Sequence, residues 1–155
     1  MRSWPKAGVS LACACVVLAG CGTEEKKGEV GDELEAGSVR AKVTEFSSRV
    51  PGSRPAQDRQ RFGALAQVCK DSEQSINAFA FSLSLENGEA ERVYPQRSYP
   101  SGFNSLRDGC EDGWLVYDAP AGSKPTAVKF EYEDTGQGGP GGDDGEHVKF
   151  EWAVP

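Results

Sequence analysis

His147 is the sole histidine in the chain, so any hydroxyl or thiol activated by an imidazole would have to use it. No nucleophile elbow stands near it. It follows a glycine-rich acidic stretch and reads as a surface residue at the start of a strand. Within that stretch Asp134, Asp143, Asp144 and Glu146 offer the hard oxygens that calcium takes. Their spacing fits no known calcium loop, and the glycines from Gly136 to Gly142 leave the oxygens unfixed. The expectation is a solvated acidic loop and no metal. Glu111 and Asp112 have the residue types of a glycosidase acid–base pair, but neighbours on a chain rarely face one reacting bond. They read as turn residues. The glycines open no helix and precede no lysine of a phosphate-binding loop, so no nucleotide and no cofactor is expected. Among the aromatics, Trp114 and Trp152 alternate with apolar residues and read as core. Tyr94 and Tyr99 stand beside Pro95 and Pro100 and are the better candidates for a surface binding patch.

The cysteines point to an address, with no reaction attached. Met1 to Lys6 carries Arg2 and Lys6, and Ala7 to Gly20 is uncharged and largely apolar. That is the layout of a secretory signal, too short to span a bilayer, which takes roughly 20 apolar residues. It ends in Leu18-Ala19-Gly20-Cys21, which resembles a lipobox, the recognition site of the bacterial lipoprotein signal peptidase. The resemblance implies a diacylglycerol on the Cys21 thiol and cleavage before that residue. Cys13 and Cys15 then leave with the signal, and Cys69 and Cys110 remain as one pair. In an exported, oxidising setting the pair is expected as a disulfide, worth about 4 kcal/mol in the chain-entropy model.

Loss of residues 1–20 removes two of the 17 basic residues, leaving 15 against 24 acidic ones and a net charge of −9. A chain so acidic is not built for nucleic acid, and it gains nothing from anionic lipid beyond an acyl anchor. Residues 21–35 contain almost no large apolar side chain and read as a flexible tether, with a typical end-to-end distance of about 20 Å.

Beyond the tether, apolar residues recur with a period of two, broken by glycine, proline and asparagine. Strands are expected over Val39 to Phe46, Arg61 to Cys69, Asn77 to Glu86, Glu91 to Tyr94, Trp114 to Asp118, Thr126 to Tyr132 and Val148 to Val154. In the third, Phe79, Phe81, Leu83 and Leu85 share a face, and Asn87-Gly88 suits a tight hairpin returning through Glu91 to Tyr94. About seven short strands without a long amphipathic helix predict an all-β, immunoglobulin-like sandwich over residues 36–155, with a small closed barrel as the alternative.

Cys69 at a strand end, Asn87-Gly88 after an aromatic strand, the segment Gly109 to Pro125 (GCEDGWLVYDAPAGSKP) and a last strand carrying Trp152 together resemble a recurring domain. It is similar to the uncharacterised immunoglobulin-like domain of short extracellular lipoproteins in Gram-positive bacteria, related to the immunoprotective extracellular antigen fold. The resemblance covers about residues 30–155. It implies a β-sandwich with a Cys69–Cys110 bridge and brings no catalytic residues. Trp114 follows the second cysteine, where antibody domains place a tryptophan between the two, so an inter-sheet bridge is not expected. A staple from a strand end to a loop is.

The expected function is a non-enzymatic binding module outside the cytoplasm, held to the cell membrane by lipid on Cys21 and meeting an unknown protein or envelope partner. The alternative is a lipoprotein that binds a small molecule, a sugar or a metal ion.

Overall fold

The structure is a computed structural model that describes residues 23–50, 54–71, 75–93, 102–103, 105–106, 109–133 and 146–155. Twelve strands run through the described residues: β1 Glu24–Glu29, β2 Glu33–Ala36, β3 Val39–Ser47, β4 Arg59–Lys70, β5 Ile76–Asn77, β6 Phe81–Leu85, β7 Gly88–Glu89, β8 Glu91–Val93, β9 Ser105–Leu106, β10 Gly109–Pro120, β11 Pro125–Glu133 and β12 His147–Ala153. They form two five-stranded sheets, ordered β1-β12-β11-β6-β7 and β2-β3-β4-β10-β8, with β5 and β9 as a separate pair. The expected sandwich is what the chain adopts.

Period-two alternation decides which face each strand buries. From the first sheet Phe81, Leu83, Val128, Phe130, Tyr132, Val148, Phe150 and Trp152 point into the core. The second sheet meets them with smaller side chains, among them Ala36, Ala41, Ala64, Ala66, Ala119, Val39, Val43 and Val68. Many rings from the first sheet meet alanines and valines of the second, which adds Phe62, Leu115 and Tyr117 of its own, and together they fill the space between the sheets as close packing requires. The rings pack on one another, with centroids 5.6 Å apart for Phe130 and Phe150 and 4.9 Å for Phe81 and Phe130. Trp152 is wholly buried and donates its indole N–H to the Asp32 carbonyl at 3.0 Å.

Residues 24–35 are not the tether expected of them. β1 pairs in parallel with β12 from Glu24↔Val148 to Glu29↔Ala153, and β2 pairs antiparallel with β3. A count of apolar side chains misses this, because an edge strand gains its place through backbone hydrogen bonds. Leu34 and Ala36 supply the buried contacts, and β1 leaves its charged side chains in water. The chain changes sheet between β1 and β2, between β4 and β6, at Ala90 between β7 and β8, and between β10 and β11.

The crossing at Ala90 corrects the expected hairpin. β7 returns beside β6 for two residues only, and Glu91–Val93 joins β10 of the opposite sheet. The turn centres on Glu86 and Asn87, with the positive φ at Gly88 alone. The strand expected from Asn77 is also interrupted. Asn77 caps a single 3-10 turn over Ala78–Ala80 by accepting from the Phe79 N–H, and this turns Phe79 out of the core to 66 % exposure.

Cys69 and Cys110 are bridged, directly opposite one another on the adjacent strands β4 and β10. The bridge therefore lies within one sheet and joins two strands, where a strand end and a loop were expected. Trp114 is half-buried on the outer face of the second sheet, not in the core. It covers Gly63 so closely that a Cβ there would lie 3.0 Å from its ring.

Candidate functional site

Glu111 and Asp112 lie inside β10, on opposite faces as successive strand residues must be, so they neither form a turn nor face a common point. Cys21 with Leu18, Ala19 and Gly20, and Tyr94 with Tyr99, lie outside the described residues. So do Asp134, Asp143 and Asp144. Glu146, the remaining member of the acidic stretch, has its carboxylate engaged: it accepts from the Ser38 N–H and from the Ser38 hydroxyl, both at 2.8 Å. It thereby closes the β2–β3 turn, where Gly37 has φ +52° and no room for a Cβ beside the Glu146 carboxylate. No group of three metal-ligating side chains occurs among the described residues.

His147 begins β12, as expected, and it is more than a surface residue. Its Nδ1 lies 2.9 Å from the Thr23 hydroxyl and its Nε2 lies 2.9 Å from Glu131 Oε1. Glu131 also meets Lys149 Nζ at 2.8 Å, and its carboxyl is held below the ordinary range, first by the hydrogen bond from Lys149 and then by that from His147. Hydroxyl, imidazole and carboxylate thus stand in series across β1, β12 and β11. What the series does structurally is tie Thr23, just before β1, to β12 and β11. Sequence reasoning missed it because the partners lie 124 and 16 positions from His147, brought together only by strand pairing.

The same end of the sandwich collects further ties. Asp71 donates its N–H to the Ser38 carbonyl at 3.3 Å, and Val39 pairs with Lys70. Lys70 is fully buried, with Nζ hydrogen-bonded to the Tyr132 hydroxyl and lying 4.2 Å from the centre of its ring. The Cys69–Cys110 bridge beside them ties β4 to β10 within the second sheet, and the Lys70–Tyr132 contact joins that sheet to the first.

Other surfaces have shape. On the outer face of the first sheet a depression of about 400 Å³ lies between Phe79, Ser82, Lys129, Glu131, Lys149 and Glu151. It combines an exposed ring with charges of both signs. At the opposite end of the molecule, Arg61 and Asp118 form a two-pronged ion pair at 2.5 and 2.7 Å, with side chains only 13 % and 12 % exposed. Arg59 extends it to Glu91 at 2.8 Å, so charge binds β4, β10 and β8 across the sheet. A shallow depression of about 300 Å³ beside this pair is lined by Arg49, Val50, Pro55 and Arg59.

Neither a protein-family model nor a curated protein matches the sequence. Solved structures do. A secreted protein of Mycobacterium tuberculosis, MPT63, matches with a TM-score of 0.55 and 19 % identity over 85 % of this chain and 99 % of its own. A Bacillus subtilis protein described as a lipoprotein (ycdA) matches with a TM-score of 0.54 and 14 % identity over 81 % of this chain, which spans only 38 % of that protein's length. At such identities the likeness is one of fold. The chain is thus a β-sandwich of the fold shared by MPT63 and a domain-sized part of ycdA.

Proposed function

We propose that the mature protein is an extracytoplasmic lipoprotein, held to the cell membrane by lipid on Cys21, whose sandwich acts as a non-enzymatic binding module. The observation that carries the reading is the place of Cys21. The lipobox-like Leu18-Ala19-Gly20-Cys21 ends three positions before Glu24, so cleavage before Cys21 would leave every strand from β1 to β12 in the mature chain. A bridged cysteine pair suits an oxidising compartment, and the names of the two structural neighbours, one secreted and one a lipoprotein, agree with such a location.

A binding role is supported over catalysis by how the polar groups are used. Glu131 is shared between His147 and Lys149, and Glu146 is consumed by a turn. Affinity capture from intact envelopes, with the mature chain as bait, tests this reading. A reproducible protein partner supports it; turnover of an envelope substrate by the same preparation overturns it. The depression beside Phe79 favours a second reading, a small-molecule or sugar site, since an exposed ring next to mixed charges suits stacking and hydrogen bonding. Thermal-shift screening against sugars separates the two.

A further inference from the structure

The end of the sandwich that carries Thr23, the Gly37–Ser38 turn and the Cys69–Cys110 bridge, we propose, faces the bilayer directly, so the opposite end is the one presented to partners. The inference rests on the lipoprotein reading above and adds what the fold does to it. A tether of residues 21–35 would let the domain roll and swing by about 20 Å. No such tether exists in the fold. Between Cys21 and Thr23 the chain spans at most about 7 Å. Thr23 is hydrogen-bonded to His147, and the next six residues pair continuously with β12. To lengthen the leash, β1 would have to be stripped from the sheet.

Strand direction then fixes what lies near the lipid. Glu24 pairs with Val148, Glu133 with His147, Val39 with Lys70, and Cys110 with Cys69, so the starts of β1, β3, β10 and β12 and the ends of β4 and β11 share one end. Glu146 and Ser38 join the two sheets there. The Ala121–Lys124 turn, the Glu86–Asn87 turn and the Arg61–Asp118 pair lie at the other end. β10, with twelve residues, sets them about 40 Å from the lipid-proximal end. Charge does not produce this orientation. Among the described residues that end carries Asp71, Glu24, Glu133 and Glu146 beside Arg40 and the buried Lys70, an excess of acid that gives anionic headgroups no pull on it, so the short covalent leash is what would hold it down.

The test uses the mature chain purified from membranes and returned to lipid vesicles. An introduced cysteine is the only free thiol in such a protein, because Cys21 is acylated and Cys69 is bridged to Cys110. Fluorophores on Asp71→Cys and on Lys124→Cys, both exposed positions at opposite ends, report depth through quenching by headgroup-labelled lipid. Quenching several-fold stronger at position 71 than at 124 is expected, and a long glycine–serine spacer inserted before Thr23 should erase the difference. Equal quenching at the two positions in protein that sediments with vesicles overturns the orientation and leaves the anchor standing. Failure of the parent chain to associate with vesicles, with Cys21→Ala behaving identically, overturns the anchor and the orientation with it.

Discussion

Burial pushes the Tyr117 phenol well above its usual range, and its hydroxyl has no hydrogen-bond partner among the described residues. A buried donor left unmade costs about 1–3 kcal/mol, so removing it is not harmful in itself. Tyr117→Phe should therefore unfold at an equal or higher denaturant midpoint; a clear loss of stability would reveal a partner for that hydroxyl. The bridge behaves oppositely. Replacing Cys69 and Cys110 together by alanine should cost about 2–4 kcal/mol in urea unfolding, since the open chain regains the entropy of a long loop. Glu131 makes a pH-dependent contribution whose sign follows from its depressed carboxyl. The stabilisation is present above the unfolded carboxylate range and is lost as pH falls through the lower folded value. Glu131→Gln should flatten the acid limb of the stability profile. The effect should be small and should shrink in high salt, because the side chain is 59 % exposed.

At the scale of elements, strands that bury one face were legible and those that bury little were not. β3, β4, β11 and β12 announce themselves through alternation such as Val148, Phe150, Trp152 against Lys149 and Glu151. β1 reads Glu-Glu-Lys-Lys-Gly-Glu, and nothing in those side chains states that its backbone completes a sheet. Phe79 shows the reverse error: the alternation runs through it, but the Asn77 cap breaks the strand and exposes the ring. The site was less legible still. Thr23, His147 and Glu131 meet through long-range pairing, and no local spacing encodes that. A chain beginning at Glu33 tests the status of β1. Its thermal midpoint should fall clearly below that of the chain beginning at Thr23, because a six-pair strand is lost from a domain whose total stability is about 5–15 kcal/mol. Equal midpoints would restore the tether. Hydrogen exchange should likewise show protected amides within residues 24–29.

For the whole molecule, the two sheets and the bridge form a domain whose first described strand lies close in sequence to the residue proposed to carry lipid. Delivery and structure are then not separate segments of the chain. On the proposed reading, Cys21 and the first strand at Glu24 are separated by two residues, and movement of one would be movement of the other. The net charge of −9 expected after cleavage would keep such a domain off anionic surfaces, so the proposed leash would have to supply any contact. All of this depends on the chemistry of one position. Intact-mass and N-terminal peptide analysis of the protein extracted from membranes tests it most directly. The account predicts a mature chain that starts at Cys21 and carries the mass of acyl chains on that residue. A chain that starts elsewhere, or an unmodified Cys21 at its start, would contradict it.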